Sequence, residues 1–359
     1  MSSILTTTAC WLLVIYLALL PCLAQAEKDL FIFPELRTLR INSDNSDFSD
    51  TYATIDFFGS VRYDQFRFLG EIFLTEDGIE AERFQLGYDF SALSTAWLGR
   101  FHNPLGYWNT QYHHGTYLQT SISRPEIAKF EHNGGLFPSH VSGVLLETGH
   151  DINNDGALDF SFAAGTSPEL RMGNDQSTSG LVLHPRELFS TGKGNHKLSL
   201  TARIIYRPES VQNNQLGFFA SQANIKVSDS SIETIDLKIA GLFAYWQAQN
   251  LNFYGSLFYS RDNVNSANAT DKGSFTSGYM QLDYLFSSDW TVFARVENTS
   301  GEKTDPYLAL MSNFSPEAQV TGLRWDITRQ QAIKFEISRK HTGTEEPVTT
   351  ILNWAAIFP

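Results

Sequence analysis

The chain has 359 residues, of which 42% are hydrophobic and 13% aromatic, enough to bury a substantial core. Its formal net charge of −13 speaks against a nucleic-acid partner, which calls for a basic surface. The only cysteines, Cys10 and Cys22, fall in the amino-terminal segment, so no disulfide framework is expected beyond it.

The chain opens MSSILTTTACWLLVIYLALLPCLAQA. An apolar run from Cys10 to Leu20, then Pro21 and the small-residue site Ala24-Gln25-Ala26, is the pattern of a secretory signal cut after Ala26. Residues 1–26 therefore read as a signal peptide and 27–359 as one mature domain. A lipoprotein site at Cys22 is the alternative, disfavoured because Pro21 stands where a small residue is expected. After Ala26 no apolar run approaches the roughly 20 residues that a membrane helix needs.

From Thr51 onward, segments of about ten residues alternate apolar with polar or small side chains, the period that sends successive side chains to opposite faces of a strand. Ala53, Ile55, Phe57, Val61 and Tyr63 oppose Thr54, Asp56, Ser60 and Arg62. Phe84, Leu86, Tyr88 and Phe90 oppose Arg83, Gln85 and Asp89, and Met280, Leu282, Tyr284 and Phe286 oppose Gln281 and Asp283. A soluble sandwich would alternate too, with its apolar face turned in. Two features favour a membrane barrel with that face turned out. Aromatic residues gather at segment ends (Tyr63, Phe66, Tyr88, Phe90, Phe286, Trp290, Trp354), as in interfacial girdles. Short connections such as 64–65 and 288–289 also alternate with longer ones at 103–139, 166–195, 262–274 and 300–316.

The predicted fold is all-β: a transmembrane antiparallel barrel of about sixteen strands. They lie near 34–42, 51–62, 65–75, 80–90, 93–102, 140–149, 157–165, 196–207, 216–228, 234–246, 251–261, 275–286, 290–299, 317–327, 332–341 and 348–358. Fourteen or eighteen strands are the alternatives, the first strand and the region of His184 being the least regular. An even number puts both termini at one end, the periplasmic one in an outer membrane.

The third long-side connection, 103–139, has neither helical nor strand period. Such a loop inside a compact domain is ordinarily functional. Left in water, its apolar residues Leu105, Tyr107, Trp108, Tyr112, Ile122, Ile127, Phe130, Leu136 and Phe137 would form a patch without a partner, so an inward fold is expected. Arg100 and His102, read as lumen-facing just before the loop, are the candidate constriction wall. Tyr107, Trp108, His113, His114, Arg124, Glu126 and Glu131 are the loop's candidate constriction residues, the two glutamates as opposing charge. The wider lumen set mixes Arg62, Arg67, Arg83, Arg324 and Lys334 with Asp56, Glu71, Asp89, Asp326 and Glu336, and contains no lysine ladder of the kind that selects phosphate.

The alternating strands, the leading signal and the aromatic end LNWAAIFP resemble the Gram-negative outer-membrane porin superfamily over the whole mature chain. The stretch GRFHNPLGYWNTQYHHG is similar to porin-like proteins with such a loop. The resemblance implies outer-membrane localisation among its lipids, a third loop that folds in and narrows the channel, small hydrophilic solutes and ions as cargo, and a homotrimer. Phe358 is followed here by Pro359, where porins usually end on Phe. A non-channel barrel serving adhesion or ligand or metal binding is the alternative.

Histidines concentrate near the loop (His102, His113, His114, His132, His140), and imidazole is a common transition-metal ligand. Adjacent histidines in extended chain point apart, however, and no zinc spacing is present. Asp151, Asn153, Asp155 and Asp159 resemble the start of a calcium loop, the only cofactor reading the sequence offers, although Phe162 stands where the bidentate glutamate belongs. No serine, histidine and acid set points to an enzyme.

Overall fold

The computed structural model describes residues 26–43, 47–76, 78–112, 115–152, 156–173, 180–187, 194–209, 213–228, 230–341 and 346–359. The signal segment 1–25 lies outside them. The described strands are β1 (Glu27–Asn42), β2 (Asp47–Tyr63), β3 (Phe66–Thr75), β4 (Gly78–Ser91), β5 (Ser94–His102), β6 (His140–Ile152), β7 (Gly156–Thr166), β8 (Glu169–Met172), β9 (Leu181–His184), β10 (Leu198–Arg207), β11 (Gln215–Val227), β12 (Ile232–Ala248), β13 (Leu251–Ser266), β14 (Thr270–Ser287), β15 (Trp290–Ser300), β16 (Glu317–Thr328), β17 (Gln331–His341) and β18 (Val348–Ala356).

Sixteen of these strands close one antiparallel barrel. β1 pairs with β2 on one side and with β18 on the other, and β7 pairs directly with β10. Phe358 prolongs the closing seam by exchanging backbone hydrogen bonds with Ile32, at 2.8 and 2.9 Å. Closure leaves the sixteen barrel strands without a free edge among the described residues. β8 and β9 form a short hairpin inside the connection between β7 and β10, and β8 pairs in parallel with the end of β11.

The strand positions match the alternation closely, with three departures. β1 starts at Glu27 instead of 34. The stretch 262–274, expected as a loop, is mostly strand, with Asp262 opposite Gly273 and Asn265 opposite Thr270. Backbone ladders form whatever the polarity of the side chains, so a hairpin runs on past the apolar belt and reads as loop-like. The connection 166–195 holds the β8–β9 hairpin.

Exposure is inside-out. Leu282 is 50% exposed and Leu352 53%, while Lys334, Glu336, Asp56 and Glu71 are 0% exposed. That inversion is what an apolar surroundings and a polar interior require of a barrel. At the end carrying the two-residue turns, Phe66, Tyr88 and Phe90 stack edge to face, and Trp290 stacks flat on Trp325 at 5.3 Å, giving a girdle.

The interior is not uniformly wet. Phe219, Ile235, Leu237, Ile239, Phe243, Tyr254, Phe258 and Phe275 line the inner wall of β11–β14. They pack on Leu105, Tyr107, Trp108, Leu136 and Phe137 of the long loop, on Tyr307, Leu308 and Met311 of connection 301–316, and on Leu170 and Leu183 of the hairpin. Alternation alone predicts a polar lumen; the apolar half exists because loops are folded in to cover it.

Candidate functional site

The neck of loop 103–139 is tied by amides. Asn103 N–H donates to the Ser139 carbonyl at 2.7 Å and its Nδ2 to the Pro138 carbonyl at 2.8 Å, while Asn109 Nδ2 reaches the Asn103 and Ser139 carbonyls at 2.7 and 2.9 Å. A single helical turn, α1 (Trp108–Gln111), follows. It drives Tyr107 flat onto Tyr245 with centroids 5.1 Å apart, and Trp108, 1% exposed, against Tyr112 and Tyr254. On the return limb, Phe137 lies parallel to Phe275 and beside Phe258.

Between these apolar anchors the loop crosses to β15–β18, β1 and β2, where wall charges satisfy its backbone. Carboxylates accept its N–H groups: Asp56 from Gly115 (3.3 Å), Glu35 from Thr116 (3.3 Å, and 2.7 Å from its hydroxyl), Glu336 from Ile122 and Ser123 (2.8 and 3.1 Å), and Glu297 from Glu126 (2.6 Å). Cations hold its carbonyls: Arg324 those of Tyr117 and Gln119 (2.6 and 2.9 Å), Lys334 those of Thr116 and Gln119, and Arg295 that of Ser123 (2.9 Å). Irregular backbone is costly to bury unpaired, and these charges remove that cost. Lys334, Glu336, Asp56 and Arg324, expected to line water, are instead engaged with the loop.

Glu126 bridges Lys129 at 2.6 Å and Lys340 of β17 at 2.7 Å. Burial opposes its ionisation, but the two ammonium groups outweigh burial and hold the carboxyl down at about 2. Arg124 lies over the Phe130 ring at 3.8 Å and near Trp108 at 5.7 Å, and burial lowers its guanidinium to about 10.

Arg100 and His102 lie at the neck of the folded-in loop, the His102 ring 5.5 Å from Phe130. Arg100 pairs with Phe84 and Ser142, so it continues the outer row of Leu98, Phe84 and Val144, which are 61%, 41% and 42% exposed; yet Arg100 and His102 are each 7% exposed. Just below them Gly99, Gly143 and Gly165 stand opposite one another across β5, β6 and β7. Gly99 has φ +138°, and a methyl group at Gly143 would overlap the Ala164 carbonyl. Glycine at such positions lets neighbouring backbones approach closely.

There His102 and His140 meet with rings 4.9 Å apart. His140 stands between carboxylates, Nδ1 at 2.8 Å from Glu131 and Nε2 at 2.9 Å from Glu82. Glu131 also accepts the His140 N–H at 2.7 Å. Burial pushes the Glu131 carboxyl up, but the His140 ring and these donors overcome it and the net shift is down. Sequence reasoning missed Glu82. A β-bulge, where Glu71 faces Arg83 but Ile72 faces Ala81, takes Glu82 out of the regular register and puts it against His140. Arg295, Glu297, Glu35 and Lys340 were missed as well, although alternation places all four on the inner row.

The wall of β2–β7 and β10 keeps a different character. Asp89 binds Arg67 (2.8 Å) and Arg62 (3.4 Å), Arg83 pairs with Glu71, Trp97 Nε1 reaches Glu147 (3.0 Å), Arg203 reaches Thr110 (2.8 Å), and Arg207 pairs with Asp159. The Arg62 and Arg207 side chains are 51% and 42% exposed, the acids they hold only 7% and 23%. Of the calcium-like turn, Asn153 and Asp155 lie outside the described residues, Asp151 is exposed and Asp159 is held by Arg207. His113 and His114 also lie outside them.

No family model and no curated protein matches the chain. Solved structures do. The chain is similar to an anion-selective porin from Comamonas acidovorans (TM-score 0.63, 11% identity, 93% of this chain and 100% of that one). It is also similar to the outer membrane channel DcaP of Acinetobacter baumannii (0.57, 14%, 93% and 98%) and to Salmonella typhi OmpF in complex with daunomycin (0.55, 12%, 91% and 97%). The fold is that of a porin-like β-barrel with a long loop packed inside it.

Proposed function

We propose that the protein is a passive channel for small hydrophilic solutes and ions in the outer membrane, reached through a cleaved signal 1–26, and that it is not an enzyme. The observation that carries this reading is the loop 103–139 pinned across the interior of a closed barrel whose outer face is apolar. The loop and the apolar half of the core leave the wall of β2–β7 and β10 as the route for water, and its more exposed charges are cationic. The constriction is set by the loop through Tyr107, Trp108, Arg124, Glu126 and Glu131, with Arg100 and His102 supporting its neck, and the barrels assemble as trimers. Small anions are the cargo favoured by that wall despite the overall −13.

Planar-bilayer recordings of the purified protein test this, and crosslinking in detergent tests the trimer. Wild-type channels are expected to conduct with a reversal potential favouring chloride over potassium. Arg62→Glu with Arg67→Glu shifts it toward the cation. Deleting 107–123 raises conductance, provided the variant still shows heat-modifiable migration. Absence of conductance at any voltage leaves the reading of a closed barrel for adhesion or ligand binding.

A further inference from the structure

A second cluster lies where connection 301–316 meets the β13–β14 hairpin. Asp262, near the end of β13, stands directly opposite Gly273 of β14. Asp305, in connection 301–316, uses one carboxylate oxygen, Oδ1, to accept the Leu308 N–H at 2.9 Å. Its other oxygen and Asp262 Oδ1 both occupy the space over Gly273, where any side chain would overlap them. Each aspartate is 2% exposed. The Tyr307 N–H lies beside the Asp262 carboxylate, but neither oxygen of Asp262 nor Oδ2 of Asp305 has a partner in hydrogen-bonding geometry, and neither carboxylate has an ion-pair partner among the described residues. Ser260, two residues along β13 and so on the same inner face as Asp262, is 0% exposed, and its hydroxyl also has no partner.

Buried carboxylates without donors are costly, and two side by side cannot both stay ionised without a countercharge. Two buried aspartate carboxylates meeting over one glycine offer an all-oxygen pair that suits a hard divalent cation. We propose that Asp262 and Asp305 form a calcium site that clamps connection 301–316 to the β13–β14 hairpin. The clamp reaches further, because Tyr307, two residues past Asp305, donates its hydroxyl to the Leu136 carbonyl of the long loop. Calcium binding here steadies the return limb of that loop as well as the surface connection. This site is separate from the turn at 151–159, where Asp159 is already engaged by Arg207.

The test uses full-length protein refolded in lipopolysaccharide-free detergent and stripped with EDTA. Calcium is expected to bind saturably by calorimetry, to raise the thermal midpoint, and to compete with terbium whose emission is sensitised by nearby aromatic rings. Asp262→Asn and Asp305→Asn each abolish binding and the calcium-dependent rise while retaining heat-modifiable migration, and Asp151→Asn leaves both in place. Should Asp262→Asn fail to fold, Asp305→Asn reports independently. The proposal is overturned if calcium and EDTA leave the wild-type midpoint unchanged. It is equally overturned if the wild type and Asp305→Asn bind alike, or if Asp151→Asn alone removes binding. A midpoint that responds to pH and not to calcium assigns the pair to a shared proton instead.

Discussion

Glu126 shows how a loop charge becomes a structural fastener. Its N–H is held by Glu297 and its carboxylate by Lys129 and Lys340, so it ties the middle of the loop to β15 and β17 at once. Its carboxyl sits below the ordinary 4.5, at about 2, so the fastening is complete above 4.5 and is lost as pH falls from there through about 2. Proteolysis of the loop and single-channel conductance are expected to stay constant from neutral pH to about 4.5, then rise toward pH 2. Glu126→Gln should show the raised level already at neutral pH and a smaller acid step. An unchanged step in that variant would assign it to another carboxylate, Glu131 being the next in line because its shift is also downward.

At the scale of elements, the bulge at Glu82 and the row Gly99, Gly143, Gly165 do for β4–β7 what regular strands cannot. The bulge turns an extra carboxylate toward His140, and the glycines let β5, β6 and β7 approach where a Cβ at Gly143 would meet the Ala164 carbonyl. Gly143→Val is therefore expected to block or slow barrel assembly, measured as loss of the heat-modifiable form after refolding. Gly59→Ala, whose added methyl meets only Leu30 and the Asp29 carbonyl at 3.8 and 3.9 Å, should refold as the wild type does. If both variants refold equally, the glycine row is incidental to assembly.

For the whole molecule, the inverted distribution of exposure predicts opposite responses to one change on the two faces. Leu282→Arg places a cation on the outer face, at a cost of about 2–4 kcal/mol near the bilayer midplane. Ser60→Arg puts the same side chain on the inner face beside Asp29, whose Oδ2 accepts the Ser60 hydroxyl at 3.2 Å, and should fold normally. Refolding yield into lipid vesicles measures both. Similar yields would mean that the outer face does not meet lipid.

Alternation is a property of the backbone, so the sequence by itself determined the strands, their inner and outer faces, the even barrel and the place of the long loop. Apolar residues such as Tyr107, Trp108 and Phe137 also announced that the loop must find cover. What cover it finds was decided only in three dimensions. The partners are far apart in sequence: Thr116 on Glu35, Tyr117 on Arg324, Tyr107 on Tyr245. No local period encodes which inner charge meets which carbonyl. Nor could alternation place Glu82, because a bulge breaks the strand rule where the loop is anchored. Half the lumen proved apolar for the same reason, since a strand shows which face is inward but not whether that face will meet water or a loop.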